Sequence, residues 1–159
     1  MTASGFRLIA VLLLTVILIE ACGENLSTEQ RIIANLEQME SAAEEGRHLD
    51  FMRYVSDDFG GQYGSMDRRE FHRFMIFQIN KNRRLHASFF PIHVRENTSS
   101  GDETTAATGA SAQFRILVTG GAGLLPDRGQ LFAVKTGWVM DDGDWLLVKA
   151  DWETVQMSE

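Results

Sequence analysis

At Leu85 the hydrophobic period of this chain changes from helical to extended. Before that point apolar residues recur three and four apart. Ile32, Ile33, Leu36, Met39 and Ala43 form one such stripe, with Glu37, Glu40, Glu44 and Glu45 mainly away from it. Ser27-Thr-Glu-Gln30 ahead of the stripe has the spacing of a capping box, and Gly46 behind it suits the left-handed position that follows a helix. A second, shorter helix is expected over His48–Val55, with Leu49, Phe51, Met52 and Val55 as its apolar set. Asp57–Gly64 is rich in turn residues and fits a small strand or an irregular crossing. Asp67-Arg-Arg-Glu70 repeats the capping signature. It opens a long helix that runs to about Arg83 on a stripe of Phe71, Phe74, Met75 and Ile79.

After Leu85 four long strands are expected, over Leu85–Arg95, Thr105–Thr119, Gln130–Met140 and Asp144–Val155. Asn97–Asp102 reads as a polar hairpin loop and Gly120–Gly129 as a longer one. Asp141-Asp-Gly-Asp144 reads as a tight turn of the Asp-Gly kind. Helices first and antiparallel strands after argue an α+β fold, with helices packed on one face of a curved sheet. Residues 27–156 are assigned to this one domain, a size at which a single core suffices.

The N-terminus carries an address. Arg7 precedes an unbroken apolar run, Leu8–Ile19, shorter than the roughly 20 residues a membrane-crossing helix needs. A basic start, an apolar run and a small residue before a boundary make a secretory signal, here residues 1–21. The single cysteine stands at that boundary. Ile19, Ala21 and Cys22 resemble the lipobox of bacterial lipoproteins, in which the cysteine thiol is lipidated and becomes the new N-terminus. The resemblance implies a lipidated Cys22, a short tether over residues 22–26 and a globule held by its lipid anchor close to a membrane. Gly23, with no aspartate after the cysteine, implies the outer membrane, facing the periplasm.

The order of elements resembles the nuclear transport factor 2-like superfamily, which includes the SnoaL-like domains. The resemblance rests on three stretches. Ile33–Phe59 holds a helix, a glycine break and Leu49-Asp-Phe-Met-Arg-Tyr-Val-Ser-Asp-Asp-Phe59. A long helix follows Asp67. The closing hairpin, Leu131–Val155, holds Asp141-Asp-Gly-Asp-Trp145-Leu-Leu-Val. It implies a cone-shaped sheet that encloses a pocket with its helices. That pocket hosts unrelated chemistries or none, so no catalytic residue is carried over.

Candidate pocket residues are Tyr54, Phe74, Phe89, Trp138, Asp151 and Trp152. Phe71, Phe77 and Phe132 are further aromatic suppliers; Phe89 and Phe90, being adjacent on a strand, cannot both point inward. Asp151 has two readings. In phase with Trp145, Leu147 and Lys149 it lines the cavity as a buried acid; with Leu146, Val148, Ala150 and Trp152 as the inner set it is a solvated outer residue. Trp138, Trp145 and Trp152 are read as core packing or as a stacking wall for a ligand. His48, His72, His86 and His93 match no metal-ligand spacing and are read as surface or edge residues, so neither a metal nor a cofactor is expected. Arg68, Arg69, Arg73, Lys81, Arg83, Arg84 and His86 make the third helix locally basic, as a solvated face or a stripe for an anionic partner or lipid headgroups. Gly120–Gly123 lacks the lysine and the helix of a phosphate loop.

A net charge of −7 repels phosphate backbones, so nucleic acid is not an expected partner. The expected partners are a membrane through the lipid anchor, a small apolar ligand and a second copy of the chain in a homodimer. The leading expectation is a non-catalytic binding or accessory domain. The alternative is a small cofactor-independent isomerase, dehydratase or hydrolase acting on a hydrophobic substrate, which needs two titratable groups facing one cavity.

Overall fold

The computed structural model of the chain describes residues 26–81, 86–96, 109–120 and 128–156. Cys22, the signal segment and the Asn97–Asp102 loop lie outside the described residues.

Helix α1 (Thr28–Glu44) begins at the capping box. The Ser27 hydroxyl accepts from the Gln30 N–H at 3.2 Å, and the Gln30 side chain accepts from the Ser27 N–H at 2.8 Å. It ends at Gly46, where φ is 75°: the Gly46 N–H donates to Ala43 and the Arg47 N–H to Ala42, which satisfies the last carbonyls. Helix α2 (His48–Met52) stops short of Val55 because that residue already begins strand β1 (Val55–Gly61). The turn-rich segment thus holds a true strand. After the short β2 (Met66–Asp67), helix α3 (Arg68–Lys81) opens on a reciprocal cap. The Asp67 carboxylate accepts from the Glu70 N–H at 2.7 Å, and the Glu70 carboxylate from the Asp67 N–H at 3.0 Å.

The expected strands follow as β3 (His86–Glu96), β4 (Ala110–Gly120), β5 (Arg128–Asp141) and β6 (Asp144–Thr154). The β5–β6 turn has positive φ at both central residues, 45° at Asp142 and 91° at Gly143, which matches the twist of a two-residue hairpin. The six strands form one curved sheet in the order β2-β1-β6-β5-β4-β3. Four of its five pairings are antiparallel; β1 and β6 pair in parallel.

Two irregularities decide which side chains face inward. In β3 the register shifts between Phe90 and His93, around Pro91. In β6, Leu147 pairs with Trp138 while Lys149 pairs with Gly137, so Val148 is an extra residue without a partner. Before this bulge Trp145 and Leu147 are buried; after it Ala150 and Trp152 take the inner side. Neither alternating set read from the sequence is therefore the inner set, because the phase changes in mid-strand.

The core lies between the inner sheet face and α1, α2 and α3. Trp138 is 0 % exposed, and its Nε1 donates to the Thr136 hydroxyl at 2.9 Å, which in turn donates to the Ala112 carbonyl at 3.2 Å. Trp145 is buried against Gly109, where an added Cβ would come within 2.7 Å of the ring. Its Nε1 has no hydrogen-bond partner among the described residues.

Candidate functional site: an apolar cavity beneath the sheet

A cavity of about 1030 Å³ opens between the helices and the inner face of β3–β6. Helix α1 contributes Leu36, Met39, Glu40 and Ala43, because these positions recur on the face turned to the sheet. Phe51 of α2 and Phe71, Phe74, Met75 and Gln78 of α3 form the helical wall opposite. The sheet adds Phe89 from β3, then Phe114, Ile116 and Val118 from alternate positions of β4. Phe132, Val134 and Thr136 follow on β5, and Leu147, Ala150 and Trp152 on β6.

Three of the six candidate residues line this cavity. Phe74 stacks on Trp152 with ring centroids 5.5 Å apart, and Phe89 stands edge-on to Phe114 at 5.1 Å. The other three lie elsewhere. Trp138 fills the closed end of the core, with no exposed surface. Tyr54, between α2 and β1, packs against the core from outside the cavity wall and lends its carbonyl to the Leu147 N–H at 2.8 Å. Asp151 is 7 % exposed, yet on the outer side of the sheet, where it accepts from the Tyr63 N–H at 2.6 Å and lies 3.5 Å from the Lys149 ammonium. Gln62 and Tyr63 both have positive φ, so Asp151 secures a tight turn and is neither a cavity acid nor a solvated residue. Of the further aromatics, Phe77 and Phe90 are exposed and Phe71 and Phe132 line the wall. Phe114 and Ile116 were not singled out, although the alternation Ala110, Ala112, Phe114, Ile116, Val118 marks them.

Polar groups are unevenly placed. Thr136 reaches the wall, but its hydroxyl is taken up by Trp138 and Ala112. The remaining polar lining, Glu40, Gln78, Asn80, Lys81 and Gln130, is half-buried or exposed and forms the rim. Burial holds the Glu40 carboxyl above its ordinary range. Glu44 and Glu37 push the same way, and His86 opposes them. No histidine, aspartate or tyrosine lines the cavity among the described residues.

His86 and His93 are exposed on the edge strand β3, as read, whereas His48 and His72 are half-buried between two helices. His48 Nδ1 lies 2.9 Å from His72 Nε2, joining α2 to α3, and His86 Nδ1 lies 2.7 Å from Glu44. Among the described residues no three of His, Cys, Asp and Glu gather as a metal site.

No family model and no curated protein matches the sequence. Solved structures do match in shape. A protein of unknown function with a cystatin-like fold from Nostoc punctiforme has a TM-score of 0.61 and 13 % identity, over 82 % of this chain and 94 % of that one. A putative calcium/calmodulin dependent protein kinase II association domain from Xanthomonas campestris has a TM-score of 0.63 and 10 % identity, over 85 % and 93 %. A putative dehydratase from the NTF2-like family of Streptomyces avermitilis has a TM-score of 0.59 and 14 % identity, over 80 % and 96 %. Identity this low speaks to fold alone. The helices on a curved, mostly antiparallel sheet, the bulged last hairpin and the cavity beneath it give this chain the nuclear transport factor 2-like fold.

Proposed function

We propose that this chain is a non-catalytic binding domain that takes a small apolar molecule into the cavity under its sheet. The observation that supports it most is the distribution of polar groups: an aromatic and aliphatic interior with its charges confined to the rim. Such a wall binds by burial and shape, with a few polar groups setting orientation. General acid–base work needs at least two titratable groups converging on one point. The rim offers Glu40 and Lys81, neither of which forms an ion pair among the described residues. The alternative, a dehydratase or similar small enzyme, draws its support from neighbours such as the putative scytalone dehydratase of Novosphingobium aromaticivorans.

The setting we propose is the bacterial envelope. The signal over residues 1–21 would leave Cys22 as a lipidated N-terminus, anchoring the domain to the outer membrane on its periplasmic side. A homodimer through the outer sheet face is part of the same proposal; there Leu117 and Leu131 stand opposite each other in register.

Titration of the protein with an apolar fluorescent probe tests the binding reading. Saturable uptake is expected, and Ile116→Trp, which places an indole in the cavity, is expected to abolish it with the fold intact. Equal behaviour of the two proteins, or no uptake by either, rejects the proposal. Mass analysis of the membrane-extracted chain checks the anchor: a mature chain that keeps residues 1–21 rejects it. Sedimentation at micromolar concentration checks the dimer.

A further inference from the structure

Glu40 and Phe89 border two hollows at once. Both line the main cavity, and both line a shallower groove of about 380 Å³ between α1 and β3, walled also by Ile33, Glu37, Phe90 and Ile92. They form the partition between the two.

The carboxylates near this partition have different fates. Glu44 is satisfied: its Oε1 accepts from the Ala87 N–H at 2.9 Å and lies 2.7 Å from His86 Nδ1. Glu40 makes no hydrogen bond or ion pair among the described residues, although it is half-buried and flanked by two further glutamates on its own helix. Among the described residues the basic side chain that acts on Glu40, His86, is already engaged by Glu44. Across the rim, the Lys81 ammonium sits over the ring of Phe77, 5.7 Å from its centroid, and Phe77 faces solvent. Lys81 borders the cavity, but its ammonium lies over a ring that is not part of the cavity lining. Among the described residues, Glu40 is left as an uncompensated carboxylate at the cavity rim, beside the Phe89 ring. A carboxylate and a ring face together attract an ammonium group, which gains from the charge and from the ring quadrupole without needing a directional donor.

We propose that the occupant of the cavity is a cationic amphiphile, an amine whose ammonium head rests between Glu40 and Phe89 and whose apolar body runs inward towards Phe114, Phe71 and Trp152. This rests on the reading of the cavity as a ligand site. The head relieves the crowding of Glu37, Glu40 and Glu44, and the body covers ring surface that is otherwise wet. A neutral ligand of the same shape obtains only the second gain, and an anionic one meets repulsion from α1.

Three soluble isosteres separate these terms: 4-phenylbutylamine, 4-phenylbutanol and 4-phenylbutanoate, titrated calorimetrically into the full chain at neutral pH. The amine is expected to bind about tenfold more tightly than the alcohol, with the carboxylate weakest. Glu40→Gln is expected to bring the amine to the affinity of the alcohol while leaving the alcohol unchanged, which also shows that the variant is folded. Amine and alcohol of equal affinity in the native protein overturn the proposal, as does a preference that survives Glu40→Gln. Tightest binding of the carboxylate overturns it in favour of Lys81. Saturable binding of none of the three overturns the cavity reading itself.

Discussion

The same three strands build a solid end and a hollow end of the inner sheet face. At the solid end each indole has a small neighbour on one side: Trp138 stands across from Ala110 on β4, with Leu147 on β6, and Trp145, in register with Met140, lies on Gly109. Each indole fills the space its small neighbour leaves, and α1 closes down on the result. At the hollow end large residues face large ones. Phe132 is in register with Ile116, and Val134 with Phe114 and Trp152. Side chains of equal reach stand side by side and hold the helical layer off the sheet. What differs is the pairing of sizes across strands, and that pairing makes the cavity.

The largest expected effect is at the solid end. Trp138→Ala removes a fully buried ring and leaves the Thr136 hydroxyl without its donor, so a loss of about 3–5 kcal/mol in denaturant unfolding is expected. Gly109→Val comes next. Its Cβ would meet the Trp145 ring at 2.7 Å, and overpacking of this kind costs about 1–3 kcal/mol. At the hollow end Phe132→Leu shaves a half-buried wall residue, and less than about 1 kcal/mol is expected. A loss there as large as that of Trp138→Ala would show that the two ends are equally packed and break the comparison.

The smallest effect concerns the α2–α3 seam behind the cavity wall. His72 is held below the ordinary imidazole range of 6.5 by burial, then by His48 and Arg68. The folded state takes up this proton less readily than the unfolded chain. Stability from the pair is therefore complete above about pH 6.5 and is lost as pH falls through the depressed folded value. Urea midpoints at pH 8 and pH 5 should differ more for the native protein than for His72→Gln. An equal difference would leave the seam insensitive to protons.

The sequence disclosed what local chemistry determines. Both capping boxes, the glycine stop at Gly46 and the Asp142–Gly143 turn depend on residues within a few positions of one another, and each is present as read. The strands after Leu85 were legible from their period. The parallel pairing of β1 with β6 was not, because it joins segments about 90 residues apart and Asp57–Gly61 resembles a turn more than a strand. The site was legible in part for the same reason. Phe74 and Phe89 follow from periodicity, whereas Asp151 stays between two readings because no residue type announces the bulge at Val148, and neither reading contains its bond to the Tyr63 N–H. The His48–His72 contact crosses two helices and is invisible to any local pattern.

The sheet order sets a timetable. Strand β6 leaves the ribosome after the five other described strands, yet it lies inside the sheet between β1 and β5. Until its 11 residues arrive, β1 and β2 can pair only with each other, and the leading helices have half a sheet to rest on. A chain arranged in this way cannot complete its core before β6 has been made. Any event that needs the polypeptide extended has the whole of translation up to Asp144 in which to act, and loss of β6 takes a partner from β1 as surely as from β5.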